Sequence, residues 1–349
     1  MKRFFLISTV LMTMFAVSCE SLLNSGEQAT EAATPETTEI PSVEKPKVEA
    51  PTLPAGESSR FLAVSQGSKG LRLAVIDLHL ETYQYYPVKK DKVNFGDWDG
   101  EMVDDAFEKM RTKLESTYKD YEVPPNNVRF FISSGFKAQI SEAGLWDRYD
   151  KWLDESGYGK YAKIVTGEEE ARFGFVTAVP PDMRDQTFFL DIGGSNTKIK
   201  TNKSESSMKY GSRTAQGVSM EDINAQVERS LTGIPNYRFK KIFAFYGGGP
   251  FIASCVMNPV LSTAEKYEEP FFEFTYEQLD AAERKVRNEW GDLVNSEGFP
   301  DFYSQDQVLN CIFIMKAYSK KAPPSASLLF INQDLDWSVG ATALALIGK

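Results

Sequence analysis

Two short segments of the chain carry residue types and spacings suited to phosphate chemistry. The first is Asp191-Ile192-Gly193-Gly194-Ser195-Asn196-Thr197-Lys198, which follows the apolar run Thr187–Leu190. A buried strand would deliver Asp191 to its C-terminal end, and the two glycines then turn the chain with no side chain in the way. Their N–H groups can face a phosphate, with nearby hydroxyls as further donors. Asp191 can hold a hydrated divalent cation that neutralises the same phosphate. The same residues also suit a plain Gly-Gly hairpin with an incidental aspartate. The second segment, Thr166-Gly167-Glu168-Glu169-Glu170-Ala171-Arg172, sets three carboxylates at a helix start. They suit a solvated N-terminus favoured by the helix dipole; alternatively, one of them points into a cleft and takes a proton from an attacking water. His79 is the only histidine. That excludes His-rich zinc sites, and a Ser-His-Asp triad unless His79 itself serves, so a general base here is a carboxylate.

The surrounding elements alternate. Leu71–Leu78, Glu81–Val88, Val128–Ser133, Ala162–Val165, Thr187–Ile192, Lys241–Tyr246 and Ser327–Ile331 read as strands, and a returning strand holds Lys198 and Lys200. Helical spacing relates Val103, Phe107, Met110 and Leu114, and Ile223, Val227 and Leu231. It also relates Leu279, Val286, Trp290 and Leu293 in one long helix, and Val308, Ile312, Met315 and Tyr318. Trp146–Ser156 reads as an amphipathic helix, Glu168–Val176 opens another, and a short one ends the chain from about Gly340. Such alternation predicts an α/β architecture with mixed sheets.

The N-terminus is a different material. Lys2 and Arg3 precede the apolar run Phe4–Val17, which ends at Ala16-Val17-Ser18-Cys19. This pattern reads as a cleaved signal over 1–18. The cysteine after Ala-Val-Ser resembles the bacterial lipobox, which implies a diacylglyceryl group on Cys19 and anchorage of an exported protein to a membrane. Residues 19–59, rich in Thr, Ala, Glu, Pro and Ser, should form a disordered acidic tether. The rest contains most of the 24 Phe and 15 Tyr, ample for two packed lobes. The net charge of −10 and the lack of a basic, aromatic-interleaved stripe disfavour nucleic acid. Cys255 and Cys311 could pair or remain buried thiols.

Taken in order, the motifs resemble those of the apyrase (nucleoside triphosphate diphosphohydrolase) family. That family has an acidic Gly-x-x-Glu block followed by a strand ending Asp-Leu-Gly-Gly-Ala-Ser-Thr-Gln, matched here by Gly167–Glu170 and Asp191–Lys198. Phe243-Ala244-Phe245-Tyr246, Asp336-Trp337-Ser338-Val339-Gly340-Ala341 and Ile132-Ser133-Ser134-Gly135-Phe136 resemble further blocks, and Ile76-Asp77-Leu78 sits at the first phosphate loop. Gly167-Glu168-Glu169-Glu170-Ala171-Arg172 is closer still to the exopolyphosphatase/guanosine-pentaphosphate phosphatase family. Both belong to the actin-like ATPase superfamily. The resemblance implies two RNase H-like lobes, 60–165 plus 336–349 and 166–335, with a cleft between them. It implies that Asp77 and Asp191 face each other across a hydrated Mg²⁺ or Ca²⁺. Glu170, with Glu169 beside it, would activate water. Gly193, Gly194, Ser195, Asn196, Thr197, Ser134 and Gly135 would cradle phosphate, and Phe245, Tyr246, Gly247, Gly248 and Trp337 would lie on the nucleotide side.

The chain departs from those families in several places. His79, Leu80 and Glu81 replace the glycine and hydroxyl positions of the first loop, and Lys137 is the nearest cation to the family's arginine after Ser134-Gly135-Phe136. Asn196 replaces a serine. Lys198 replaces a glutamine of apyrases or a metal-binding glutamate of exopolyphosphatases, and such a cation would repel a metal. Two functions follow as expectations: an exported phosphohydrolase of nucleoside di- and triphosphates or polyphosphate, or an eroded descendant that binds a ligand or an envelope partner. Export disfavours a kinase, which would lack ATP.

Overall fold

The computed structural model describes residues 58–346, apart from 69, 81–84, 95–102, 125, 263–270, 297–298, 301–302 and 333–335. The expected signal, Cys19 and nearly all of the tether lie outside the described residues, as does Glu81. Among the described residues, no helix is long and apolar enough to cross a membrane.

In chain order, β1 (Ser58–Gly67), β2 (Gly70–His79) and β3 (Tyr85–Asn94) form an antiparallel meander. They are followed by α1 (Val103–Asp120), β4 (Val128–Ser133), α2 (Ser134–Glu142), α3 (Trp146–Glu155), β5 (Ala162–Val165) and α4 (Gly167–Ala178). A second meander comprises β6 (Thr187–Ile192), β7 (Thr197–Lys200) and β8 (Glu205–Met208). After it come α5 (Met220–Thr232), β9 (Ile242–Tyr246), α6 (Gly248–Met257), β10 (Phe271–Phe274), α7 (Tyr276–Asn288), α8 (Trp290–Val294), α9 (Gln305–Ser319), β11 (Ser327–Ile331) and α10 (Trp337–Leu346). The expected long helix around Leu279–Leu293 is two, because Glu289 leaves helical backbone geometry between α7 and α8.

The two sheets repeat one topology. The first has the order β3-β2-β1-β4-β5, and the second β8-β7-β6-β9-β11 with β10 added on the edge. In each, a meander pairs its first strand in parallel with the next strand of a crossover. β6 is buried along its whole length, as expected of a strand covered on both faces. Its period of two sends Phe188, Leu190 and Ile192 into the core shared with α5, α6, α7 and α9 and Phe189 to the opposite face, against Phe175 of α4. The first sheet likewise covers one face with α1, α2 and α3, through Phe107, Met110, Phe136 and Trp152.

Two helices lie between the sheets. α10 packs Val339 and Ala343 onto Phe61, Ala63 and Ile76 of the first sheet, and α4 packs Phe175 and Ala178 onto Phe189 and Ala244 of the second. They cross at Gly340, whose N–H donates to Thr177 Oγ1 at 2.9 Å. A Cβ there would lie 2.4 Å from that oxygen, so the crossing depends on the missing side chain. Cys255 and Cys311 are free and buried in the second sheet's core.

Candidate active site

Glu170 stands four residues past the N-cap of α4 and is 2% exposed. The helix starts there because Thr166 and Glu169 form a reciprocal capping box: Thr166 Oγ1 accepts from the Glu169 N–H, and Glu169 Oε2 accepts from the Thr166 N–H. Glu169 also pairs with Lys163 at 2.8 Å. Its carboxylate is thus committed to the helix start and its flank, which separates it from the water-activating role expected beside Glu170. Glu170 instead turns inward. Its Oε1 accepts from the backbone N–H of Ser134 at 3.0 Å and from the Ser134 hydroxyl at 3.1 Å. Its Oε2 lies 2.7 Å from Lys198 Nζ.

Lys198 connects the two motifs. On β7 it is directly opposite Asp191 on β6, and its ammonium also reaches Asp191 Oδ2 at 3.2 Å. Burial works against the charge, but Asp191 and Glu170 outweigh it and hold the ammonium's pKa above the usual lysine value. Gly247, at φ 100°, passes close to Asp191: a Cβ there would lie 2.7 Å from Oδ1. Only glycine combines that backbone angle with that approach.

The turn Gly193–Asn196 is clasped from behind by 211–214. The carbonyls of Gly193, Gly194 and Ser195 accept from Ser212 N, Arg213 N and Thr214 Oγ1 at 2.9, 2.9 and 2.7 Å. Gly193 N–H closes the turn onto Asn196 O. The N–H groups of Gly194, Ser195 and Asn196 have no acceptor among the described residues, and backbone donors in such a turn form an anion-binding nest. Arg213 reaches Ser195 Oγ at 3.2 Å. Ser134-Gly135 and the start of α4 close the other side: a Cβ on Gly135 would meet Ser195 Oγ at 3.4 Å, and one on Gly167 would meet Asn196 Nδ2 at 3.5 Å. Thr197 turns away, its hydroxyl donating to Tyr210 O.

The turn equivalent to Gly193–Asn196 in the first sheet is Gly67–Gly70, not the segment after Asp77. In register, Ser65 pairs with Arg72 as Asp191 pairs with Lys198. A Cβ on Gly194 would lie 3.7 Å from Ser68 Oγ, so the two turns meet across the lobes. Asp77 lies seven residues along β2 from Gly70, roughly 23 Å at strand rise. It forms a two-point pair with Arg60, its cross-strand neighbour, at 2.8 and 3.0 Å. It therefore does not face Asp191. His79 is buried at the end of β2 and Leu80 packs against the nearby core. The sequence signal for the true turn was available: two glycines three apart between Leu62-Ala63-Val64 and Leu71-Arg72-Leu73.

The residues expected on the nucleotide side divide. Phe245 is fully buried against Phe274, and Trp337 stacks on Phe173 with centroids 6.3 Å apart. Both are core, placed by the period of β9 and by the α4–α10 contact. Tyr246 packs on Phe189, and burial pushes its phenol well above the usual value. Gly248 lies under Tyr303, where a Cβ would come within 2.3 Å of the hydroxyl. Sequence reasoning missed Arg72, Asp336, Arg213 and the 211–214 clasp. Asp336 accepts from Ser338 N–H at the start of α10 and from Arg72 at 3.3 Å. Burial works against the Arg72 charge, but Asp336 and the groups around it hold its guanidinium above the usual arginine value.

A directly bound Mg²⁺ or Ca²⁺ does not fit these residues. The point between Glu170 and Asp191 already holds an ammonium, and Asp77 is engaged elsewhere. Among the described residues, no group of three or more His, Cys, Asp or Glu side chains is placed to hold a metal.

Two lobes of one repeated topology, two central helices and opposed turns define the actin-like ATPase fold. The solved structures it is similar to include an exopolyphosphatase from Cytophaga hutchinsonii ATCC 33406, with TM-score 0.64 and 15% identity over 83% of this chain and 98% of that one. A Ppx/GppA family member from Aquifex aeolicus gives 0.62 and 12% over 84% and 99%. An exopolyphosphatase-like protein gives 0.62 and 14% over 82% and 97%. At such identities the likeness is one of fold, and these neighbours lend the apyrase resemblance no support. No family model matches the chain, and neither does any curated protein sequence.

Proposed function

We propose that the protein is a phosphohydrolase of the exopolyphosphatase kind, cleaving phosphoanhydride bonds of polyphosphate or nucleoside polyphosphates in the cell envelope, where a lipid on Cys19 holds it. The observation that carries the reading is the convergence of a buried glutamate, an ammonium and the N–H groups of Gly194–Asn196, which have no acceptor among the described residues, at one junction of the lobes. Its fold neighbours include proteins described as exopolyphosphatases. The turns of the two lobes face each other closely at Ser68 and Gly194, and in this reading the lobes part to admit the ligand. The turn N–H groups and Arg213 then bind phosphoryl oxygens. Glu170 takes a proton from water as its oxygen attacks phosphorus, and the bridging P–O bond breaks with the electron pair leaving on the departing phosphate. Positioning and fixed positive charge supply most of the rate.

A second reading, ligand binding without turnover, is favoured by one observation: both Glu170 oxygens are occupied, one by Ser134 and one by Lys198. A base so engaged must exchange a partner before it accepts a proton. The full chain incubated with tripolyphosphate, ATP, ADP and GDP separates the readings. Hydrolysis predicts phosphate release that falls by about 10² or more in Glu170→Gln, the scale of general-base catalysis. A rise in melting temperature with no phosphate release selects binding alone. Neither effect with any of these ligands would reject both.

A further inference from the structure

We propose that the Lys198 ammonium is the resident cation of this cleft, standing where a divalent metal would bridge Glu170 and Asp191, and that the phosphoryl ligand is bound without a metal. The second half rests on the reading of the cleft as a phosphoryl site.

The geometry leaves one place for a cation between these carboxylates, and Lys198 Nζ has it, at 2.7 Å from Glu170 Oε2 and 3.2 Å from Asp191 Oδ2. A divalent ion binding the same oxygens directly needs distances of about 2.0–2.6 Å, which puts it on top of the ammonium. Displacing the ammonium is costly, because a lysine side chain only 9% exposed would have to find other partners for a buried charge. The backbone also holds it in place, since the strand register sets Lys198 opposite Asp191. The same ammonium adjoins the glycine turn: a Cβ on Gly193 would lie 3.5 Å from Nζ. One fixed charge thus both neutralises the two acids and borders the turn whose Gly194, Ser195 and Asn196 N–H groups have no acceptor among the described residues. Two other acids, one near the cleft and one far along β2, are paired in the same way. Asp336 is paired with Arg72, and Asp77 with Arg60. Each carboxylate expected to call for a metal has a side-chain cation in contact.

The full chain in phosphate-free buffer is titrated with Mn²⁺ and the free ion followed by electron paramagnetic resonance. The expected result for the wild type is no bound Mn²⁺ up to about 1 mM, the weak end of oxygen-ligand cation sites. Lys198→Gln, which frees both carboxylates, should bind one Mn²⁺ at least about tenfold more tightly, an effect of about 1.4 kcal/mol or more. One Mn²⁺ bound by the wild type and lost in Glu170→Gln or Asp191→Asn overturns the assignment of Lys198. That wild-type titration decides the matter even if Lys198→Gln does not fold. In a second arm, tripolyphosphate should raise the melting temperature in the presence of EDTA. A rise that EDTA abolishes overturns metal-free binding. No rise with or without a metal overturns the phosphoryl reading itself, while the Mn²⁺ result still decides what stands between the two acids.

Discussion

At the scale of single residues, the cleft is governed by charge pairs whose members could not have been matched from sequence distance. Lys198 takes Glu170 and Asp191, and Arg72 takes Asp336. The first of these is buried, so its loss is asymmetric. Removing the lysine alone strands two buried carboxylates, whereas neutralising all three leaves only polar atoms to satisfy. Lys198→Met is therefore expected to destabilise the fold by about 3–5 kcal/mol in urea unfolding, the range for breaking a buried pair. The triple change Lys198→Met, Glu170→Gln, Asp191→Asn should recover most of that loss. A single variant as stable as the wild type would mean that the ammonium does not sit between the acids.

At the scale of elements, the informative feature is the clasp behind the glycine turn. Segment 211–214 takes up the carbonyls of Gly193, Gly194 and Ser195, and Asn310 of α9 in turn donates to Ser212 O at 3.0 Å. The turn is thereby held with its carbonyls to the rear before any ligand arrives, which lowers the ordering cost of binding. Gly211 permits this contact, because a Cβ there would lie 2.4 Å from Gly193 O and 2.7 Å from Asn196 N. Gly211→Ala should cost about 1–3 kcal/mol, as overpacking does, and should weaken tripolyphosphate binding more than tenfold in calorimetry. An alanine variant with full affinity would show that the clasp does not shape the turn.

At the scale of the whole molecule, the lobes meet through α4 and α10, and that contact sets where Glu170 stands relative to the first sheet. Glu170 and Thr177 are on the same helix, so tilting α4 at the Gly340 crossing moves the carboxylate against Ser134. Gly340→Ala inserts a methyl group 2.4 Å from Thr177 Oγ1 and 2.5 Å from Phe173 O. It should lower the melting temperature by several degrees, since about 1–3 kcal/mol of overpacking shifts a chain of this size by a few degrees per kcal/mol. Phosphate release should fall with it, although no cleft residue has changed. Thr177→Ala, added to Gly340→Ala, makes room and should restore part of both. Independent loss of the two properties would detach the crossing from the cleft.

What the sequence determined by itself was local. The apolar runs of β2, β4, β6, β9 and β11, the helical spacing of α1, α5 and α9 and the Gly193-Gly194 turn all follow from neighbours within a few positions, where periodicity and backbone freedom decide conformation. The ordered motifs also carried the fold class. Tertiary structure alone decided which turn of the first sheet meets Gly194, because β1 is a less regular run and the pairing of Ser65 with Arg72 is a matter of register. It alone committed Glu169 to a cap and Glu170 to the cleft, since the helical rotation of 100° per residue that separates them has meaning only once α4 is docked. It placed Phe245 and Trp337 in the core and Asp77 beside Arg60. It also brought Lys198 to Glu170, twenty-eight positions away, because β7 and α4 share a face that neither segment encodes alone.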